Sequence, residues 1–427
     1  MVFQELNAYE EQLRLLKRLK LQGADKSVLH AAALKLRSLK RAGKTARKAQ
    51  LIRPQPQRQC SSRNGALFYR PYSLKIPEDS EGFSVAFNVA AGETTKAKAI
   101  EFFEHYGFVI FRDVIDSSCC EQARVEIWDY LENHVAGFKR SDPDTFHHLS
   151  SQTHGLAPEP AIFSEQIFRN RCCSKVLEAF RAVLHDENIL VSHDRWCVFR
   201  PTRDIRFRHG VQDMKSWETK ENLHLDLNPW TFYTGVTSLD QLTYDNLRDF
   251  SKEINGVVQA TGPHVQGILA LNDNRAEDGG TVLVPGFHKC FRQWQKSLGP
   301  MSKYLHSIDD SSGRLVWRGK GAGSYIFSKN DQLHKYKQRV TMRAGSLLIW
   351  DQRVVHGSAH NNSENFRIAQ FIKAFRRVFV GDERLHHRTN RIKSELRKNG
   401  VSFGKEADNM QRAAGLIWFI QTCTIEN

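Results

Sequence analysis

The chain has 427 residues, enough for one large domain with extensions. No apolar stretch approaches the length of a membrane span, and the N-terminus lacks the apolar core of a signal peptide. The eight cysteines include two adjacent pairs without zinc-ligand spacing, which indicates free thiols in a reducing compartment. These features argue against a membrane-spanning or secreted protein, and we expect a cytoplasmic one, with the nucleus as the alternative.

The positive charge is concentrated at the N-terminus. Residues 1–70 contain 16 Lys and Arg against 4 acids, and so carry +12 of the chain's formal +15. Residues 71–427 are therefore nearly neutral. A basic arm of this kind suits phosphate contacts, but no aromatic residue interrupts its basic run from Lys40 to Lys48, so base stacking is not predicted.

Two short amphipathic helices are predicted within residues 1–50. Leucines at 13, 16, 19 and 21 form one apolar stripe, Gly23 fits a helix end, and a second stripe runs from Val28 to Leu39. This segment resembles the WHEP helical hairpin of some eukaryotic aminoacyl-tRNA synthetases, which implies RNA, tRNA or protein contacts. The alternative is a solvated basic hairpin that only tethers the rest. Prolines and glutamines then indicate a linker, assigned to 51–80.

Residues 81–380 have the pattern of a mainly β domain with flanking helices. Helices are predicted near 94–106, 116–137 and 164–184, and short strands separated by turns follow them. Residues 381–427 are predicted to form a basic helical C-terminal extension. Its basic residues form either a solvated helix face or part of a cover over the central domain.

The segment 222–228 alternates leucines with polar residues and is predicted to be a strand. Its leucines face one side, and His224 and Asp226 lie next to each other on the other. With a second histidine, this pair matches the two-histidine-one-carboxylate set that binds non-haem Fe(II) and leaves coordination positions open. The alternative is a polar strand face that lines a cleft without a metal.

The His-x-acid spacing is informative only in this strand context. At this composition chance predicts about two such pairs, and two are present. The other pair, His185 and Glu187, falls at the predicted end of an amphipathic helix, where such residues are usually solvated.

A strand, a turn-rich segment and a second strand are predicted within 344–372. If this is a hairpin centred between Asn361 and Asn362, His356 and Arg367 are directly opposed and share a face. His356 would then be a third metal ligand. Arg367 would be a fixed cation whose planar fork binds both oxygens of a carboxylate. The alternative for Arg367 is a cross-strand charge pair at the surface.

These residues resemble the phytanoyl-CoA dioxygenase family of Fe(II)/2-oxoglutarate oxygenases. The family has a His-x-Asp pair, a distal His followed by Gly-Ser, and an Arg eleven residues after that His. Here these are His224, Asp226, His356, Ser358 and Arg367. Segments resembling the family's opening helix and strand, a central strand and a Pro-Gly-x-His turn are Phe102–Arg112, Gly267–Asp273 and Asp278–Lys289. The Asn-Leu approach to His224 departs from the family's usual Trp-His-x-Asp, so substrate contacts are not carried over.

The resemblance implies a double-stranded β-helix of jelly-roll or cupin-like type. It implies that His224, Asp226 and His356 bind iron, and that Arg367 and Ser358 hold the distal carboxylate of 2-oxoglutarate. The implied reaction uses O2 to hydroxylate a C–H bond of a small-molecule or acyl substrate, with release of succinate and CO2. Two alternatives are the same chemistry on a nucleic acid or protein delivered by the basic arm, and a non-catalytic binding protein. The intact ligand set argues against the last.

Overall fold

The computed structural model describes residues 74–149, 163–227, 252–254, 257–259, 265–298, 316–318, 324–377, 382–403 and 408–416, with the single positions 35 and 229. The chain divides into two compact units, Met1–Ala66 and Leu67–Asn427. The predicted helical hairpin of residues 1–50 lies in the first unit, outside the described residues. Among the described helices, none combines the length and the apolar character needed to cross a membrane.

The helices of the second unit confirm two of the three predicted ones. They are α1 Glu93–Tyr106, α2 Ser117–His134, α3 Glu165–Cys172, α4 Ser174–Leu184, α5 Phe287–Ser297, α6 Asp382–Lys398 and α7 Asp408–Ala414. The third predicted helix, 164–184, is divided into α3 and α4 because Cys173 leaves the helical conformation, with φ −59° and ψ 130°. His185 caps α4 in the left-handed conformation, so the second His-x-acid pair is at a helix end as predicted.

The strands are short, apart from one. They are β1 Phe87–Asn88, β2 Phe108–Arg112, β3 Ile189–Val191, β4 Trp196–Phe199, β5 Ile205–Phe207, β6 Gly210–Gln212, β7 His224–Leu225, β8 Lys252–Ile254, β9 Val257–Gln259, β10 Val265–Ala270, β11 Gly280–Leu283, β12 Val316–Arg318, β13 Ser324–Ile326, β14 Gln338–Arg339, β15 Leu347–Asp351, β16 His356–Ala359 and β17 Arg367–Arg376. The predicted strand at 222–228 is reduced to β7, although its leucines are buried on one side as expected.

Two main sheets form the body. The first has the order β1-β2-β15-β10-β17-β3, with β4 also paired to β17, and the second has the order β12-β13-β7-β16-β11-β14. Apart from the parallel pair β1–β2, neighbouring strands in both sheets are antiparallel. The predicted mainly β architecture with flanking helices is therefore confirmed.

The first sheet is buried on both faces. One face packs on the second sheet, where Ile268 and Leu348 share an apolar cluster with Leu283. The other face packs on the helices, where Leu269 shares a cluster with Phe180 of α4. This double burial explains why β10 and β15 are nearly continuous apolar runs rather than alternating ones.

The predicted hairpin within 344–372 is wrong. β16 pairs with β7 and β11 in the second sheet, whereas β17 pairs with β10, β3 and β4 in the first. The turn between them crosses from one sheet to the other, and one non-local and one local hydrogen bond hold it. Ser363 Oγ donates to Asp278 Oδ1 at 2.7 Å, and Asn361 Nδ2 donates to Asn365 O at 2.6 Å. His356 and Arg367 are therefore not cross-strand neighbours.

The C-terminal helices belong to the second unit. α6 buries Leu385, Ile392 and Leu396. Arg388, on the same helix, is 4% exposed and donates from Nη2 to Val191 O at 2.6 Å. The helix therefore covers part of this unit with its apolar residues and Arg388, whereas Arg391, Arg397 and Lys398 lie on an exposed face.

Candidate metal and co-substrate site

Three of the predicted residues converge in the second sheet. His224 on β7 and His356 on β16 are directly opposed, with ring centroids 4.4 Å apart. Asp226, just after β7, reaches both: its Oδ1 is 3.5 Å from His224 Nε2, and its Oδ2 is 3.8 Å from His356 Nε2. One ligand atom from each residue lies within 4.8 Å of the others. Within the described part of the chain, this is the only His, Cys, Asp or Glu group arranged to hold a metal.

Gly357 makes this arrangement sterically possible. A Cβ at position 357 would lie 1.8 Å from the backbone oxygen of Asn222, so a side chain would force β7 and β16 apart. The close approach lets Asn222 Oδ1 accept a hydrogen bond from Ser358 N at 3.2 Å. The same Oδ1 is 3.2 Å from His224 Nδ1. Asn222 therefore fixes His224 relative to β16.

Both imidazoles are oriented to present Nε2 to a cation. His356 Nδ1 lies 3.0 Å from Val354 O, and His224 Nδ1 lies against the Asn222 oxygen. An oxygen acceptor keeps the proton of a neutral imidazole on the nitrogen that contacts it. The Nε2 lone pairs are then left facing the Asp226 carboxylate. Two neutral imidazoles and one carboxylate fit Fe(II) with coordination positions left open.

The electrostatics of the site keep Asp226 ionised. In the metal-free protein, burial raises the pKa of Asp226, but a hydrogen bond from protonated His356 and the charges of His224 and Lys373 lower it to well below the usual value. A bound cation would take the place of the imidazole protons that face Asp226. Gln266 Nε2 also donates to Asp226 Oδ2 at 3.0 Å. The side chain is still 32% exposed. An ionised, accessible carboxylate is the form that binds a divalent cation.

Arg367 begins β17 in the first sheet and is 3% exposed. Its Nη1 donates to Cys197 Sγ at 2.8 Å, and its Cζ lies 5.1 Å from the ring centroid of Phe199. Gly280, on β11 of the second sheet, lies next to this guanidinium: a Cβ at position 280 would be 3.1 Å from Arg367 Nε. The guanidinium therefore bridges the space between the two sheets, and the missing side chain at 280 gives it room.

The spacing between Arg367 and the metal ligands follows from the strand register. Gly280 lies beside Arg367, and Leu283, three residues further along β11, is opposite His356. At about 3.3 Å per residue, the guanidinium lies about 10 Å along the sheet from the level of the ligands. Ser358 lies between these levels and shares a face with His356 because the two are two residues apart on β16. A five-carbon dicarboxylate is of the size to occupy this gap.

Sequence comparisons identify the family. Residues 256–369 match the family model described as "Phytanoyl-CoA dioxygenase (PhyH)". A protein of Dictyostelium discoideum named "Putative phytanoyl-CoA dioxygenase" is 34% identical over 346 residues, which cover 75% of this chain and 91% of that protein. The chain belongs to the phytanoyl-CoA dioxygenase family. It is an Fe(II)-dependent dioxygenase with 2-oxoglutarate as its co-substrate.

Solved structures similar to this dioxygenase are more distant. GlcNAc Inducible Gene 2 of Candida albicans is 13% identical, with a TM-score of 0.47, and the match covers 76% of this chain and 77% of that one. The epimerase SnoN in complex with Fe3+, alpha ketoglutarate and nogalamycin RO is 15% identical, with a TM-score of 0.39 and coverage of 66% and 84%. HygX of Streptomyces hygroscopicus with nickel and 2-oxoglutarate bound is 16% identical, with a TM-score of 0.38 and coverage of 66% and 88%.

Two other arginines near the site are engaged elsewhere. Arg353 forms a bidentate pair with Asp351, with Nε–Oδ1 and Nη2–Oδ2 distances of 2.9 and 2.6 Å. Arg200 donates to Phe146 O at 2.9 Å and stacks on Trp217 at 4.5 Å. Of these three arginines of the dioxygenase, Arg367 is the one whose guanidinium lies between the two sheets.

Several residues around the site were not found from the sequence. They are Asn222, Gln266, Trp350, Gln352 and Lys373, which surround the metal ligands, and Cys197, which contacts Arg367. Asn222 is only two residues from His224, but Gln266, Trp350, Gln352 and Lys373 are far from His224 and Asp226 in sequence, and Cys197 is far from Arg367. Only the order of the strands brings them together, and no spacing motif signals that order.

Proposed function

We propose that this dioxygenase hydroxylates a C–H bond of a small-molecule or acyl substrate, while O2 and 2-oxoglutarate are converted to succinate and CO2. The proposal rests on the convergence of two imidazole nitrogens and one carboxylate within 4.8 Å, beside a gap that ends at a buried arginine. The two facing sheets with helices outside correspond to a double-stranded β-helix. In the chain as a whole, residues 81–380 would form the catalytic domain, residues 51–80 would form a linker, and residues 381–427 would form an extension packed on that domain.

Each site residue has a distinct role in this proposal. His224, Asp226 and His356 would hold Fe(II), which activates O2 when the keto acid is also bound. Arg367 would bind both oxygens of the distal carboxylate of 2-oxoglutarate, and the Ser358 hydroxyl would donate to the same group. The apolar cluster between the sheets excludes water from this ion pair and so strengthens it.

The direct test is binding followed by turnover. We expect anaerobic calorimetry on the metal-free protein to show Fe(II) binding first and 2-oxoglutarate binding only after the metal is present. Screening of small carboxylic acids, neutral metabolites and acyl thioesters for stimulated succinate release would then define the substrate. Failure of the iron-loaded wild type to bind 2-oxoglutarate would falsify the proposed function.

A second candidate keeps the chemistry but changes the substrate to a nucleic acid or protein. It is favoured by the concentration of positive charge in residues 1–70, which hold +12 of the chain's +15. Such an arm would bind a polyanion with an affinity that falls steeply as salt rises. Succinate release stimulated by RNA in the full chain, and lost without residues 1–70, would favour this candidate.

A further inference from the structure

The guanidinium of Arg367 is held by two residues of β4. Among the described strands β4 pairs only with β17, and Phe199 is directly opposite Arg367 in that pairing. Cys197 lies two residues from Phe199 on the same strand, so the two side chains share the face that carries Arg367. The Phe199 ring centroid is 5.1 Å from Arg367 Cζ, and Cys197 Sγ accepts a hydrogen bond from Nη1 at 2.8 Å. One strand thus contacts the guanidinium at its face and at one of its nitrogens.

The thiol of Cys197 meets the guanidinium in its neutral form. Cys197 is fully buried, and burial raises the pKa of its thiol, although the charge of Arg367 and the hydrogen bond from it act in the opposite direction. A neutral sulfur is a weak acceptor, which orients an N–H group without cancelling the positive charge. An acidic side chain at this position would instead form an ion pair with the guanidinium and would compete with any other anion.

Arg367 keeps its charge available for a ligand. Within the part of the chain that the structure describes, its hydrogen-bond partner is Cys197 Sγ, and no carboxylate lies at ion-pairing distance. A guanidinium has several N–H donors, and Cys197 uses one of them. Arg367 is 3% exposed, and a buried cation without a counter-charge is costly. The remaining donors are therefore the ones that would receive an incoming carboxylate.

We propose that Cys197 is a positioning residue for co-substrate binding, which holds the Arg367 guanidinium in the orientation that receives the distal carboxylate of 2-oxoglutarate. This inference rests on the proposed function, because it concerns the anchor of the keto acid. Cys197 acts through Arg367 and not on the keto acid itself. Its effect is pre-organisation: an arginine that is already held in place loses less rotamer freedom when the ligand binds.

2-Oxoglutarate and 2-oxopentanoate are a matched pair of probes. The two keto acids share the metal-chelating end and the chain length, but 2-oxopentanoate has a methyl group where 2-oxoglutarate has its distal carboxylate. The full-length protein is loaded with Ni(II), which prevents turnover, and each keto acid is titrated by calorimetry. The ratio of the two affinities then measures the contribution of the distal carboxylate.

Three variants of Cys197 separate the acceptor from the volume of the side chain. Cys197→Ala removes the acceptor, and Cys197→Ser replaces it with a hydroxyl oxygen. Cys197→Val lacks an acceptor but keeps the space filled, so it decides the result if the alanine variant does not fold. Cys290→Ala is the matched control, because Cys290 is a second buried thiol, 3% exposed, in an apolar cluster of the second sheet.

We expect the wild type to bind 2-oxoglutarate more tightly than 2-oxopentanoate. The affinity ratio should fall about fivefold in Cys197→Ala and Cys197→Val, and should stay within about twofold of the wild type in Cys197→Ser. Cys290→Ala should leave the ratio unchanged. The affinity for 2-oxopentanoate itself should change little in every variant, because this probe has no group for Arg367 to bind.

Three outcomes would overturn the inference. They are an unchanged ratio in a folded variant without the acceptor, an equal loss of affinity for both keto acids, and an equal fall of the ratio in Cys290→Ala. The first would mean that Arg367 keeps its orientation without the thiol, and the other two would show general damage to the fold. Failure of the wild type to bind 2-oxoglutarate is a different result, because it rejects the proposed function and the inference with it.

Discussion

The two sheets contribute to the site in different ways. The second sheet supplies the metal ligands from short strands, β7 with two residues and β16 with four, and the Asp226 side chain is 32% exposed. The first sheet supplies Arg367 from β17, a ten-residue strand buried on both faces, and the arginine is 3% exposed. The proposed co-substrate anchor, Arg367, is thus part of the core. The candidate metal ligands, His224, Asp226 and His356, lie at a partly open edge of the site, here called the rim. A few hydrogen bonds determine the geometry of this rim.

The largest effect should come from the rim. We expect Asp226→Ala to reduce 2-oxoglutarate turnover by more than about 100-fold. Loss of a group that only orients a metal ligand lowers metal affinity or activity by about 10- to 100-fold, and loss of a direct ligand should cost more. Folding should be preserved, since the carboxylate is not part of the core. Iron content and circular dichroism of the purified variant provide the check. An active variant with normal iron content would remove Asp226 from the ligand set.

Gly357→Ala tests whether the rim depends on the close approach of β7 and β16. The added Cβ would collide with the backbone oxygen of Asn222, and backbone cannot move aside as a flexible side chain can. We expect a loss of up to about 3 kcal/mol in the free energy of unfolding, together with weaker metal binding. Ser358→Ala, on the same strand, is the control and should leave stability nearly unchanged. Urea denaturation with and without metal distinguishes the two variants.

Arg367→Ala addresses the buried anchor. It removes a bidentate, charge-assisted contact, so we expect a 2-oxoglutarate affinity roughly 10- to 100-fold lower, with iron binding retained. Arg367→Lys should recover only part of the affinity, because an ammonium group lacks the planar fork. Calorimetry on the metal-loaded protein measures both. Unchanged co-substrate affinity in the alanine variant would mean that another cation holds the carboxylate.

The free energy of unfolding should depend on pH through a buried histidine on the helix-covered side of the first sheet. His193 follows β3, and its Nε2 lies 2.7 Å from Ala414 O of α7. Burial lowers the pKa of His193 well below 6.5, and the charges of Arg388 and Arg171 act in the same direction. Below pH 6.5 the unfolded chain therefore binds a proton that the folded protein does not. The free energy of unfolding should fall by about 1.4 kcal/mol per pH unit until the folded pKa is reached.

The control for this pH effect is His193→Gln, which does not titrate and keeps an amide donor for Ala414 O. Its free energy of unfolding, measured by urea denaturation of the metal-free protein at pH 5 and 7, should vary less with pH than that of the wild type. An equal pH dependence in both proteins would show that other groups are responsible.

Removal of residues 1–70 should have the smallest effect on chemistry. The described strands of both sheets begin at Phe87, so we expect iron binding, 2-oxoglutarate binding and uncoupled succinate formation to change by less than about twofold. Binding of RNA or another polyanion should become weaker and less dependent on salt. Filter binding at two salt concentrations tests this. A truncated protein that binds neither iron nor 2-oxoglutarate would place the arm within the catalytic core.

The sequence predicted the site residues better than the connections between them. His224 and Asp226 were predicted from local alternation, and His356 from the resemblance to the family's motif; the structure brings the three together. The hairpin that should have joined His356 to Arg367 was wrong. Its Asn- and Ser-rich turn suits a sheet-to-sheet crossing as well as a hairpin, and the hydrogen bonds to Asp278 that settle the choice are non-local.

Burial of charge was equally hard to predict. The basic residues of α6 are consistent with a solvated face, yet Arg388 is buried and donates to a carbonyl of β3. Local composition does not reveal which turn of an amphipathic helix meets a carbonyl at a sheet edge. The alignment of Trp350, Gln266 and Lys373 across the first sheet was missed for a related reason, because it exists only once β15, β10 and β17 are neighbours.

The length of β17 has a consequence for how such an enzyme diversifies. One end of the strand carries Arg367, the proposed anchor of the keto acid. Further along, Lys373 is opposite Gln266, which donates to Asp226. Substitutions at the Lys373 end would therefore change the surroundings of the candidate metal centre without touching the proposed co-substrate anchor. β17 thus keeps the proposed co-substrate anchor at its start apart from positions near the metal centre that can be substituted. Directed evolution of the substrate range would begin with the residues at the C-terminal end of this strand.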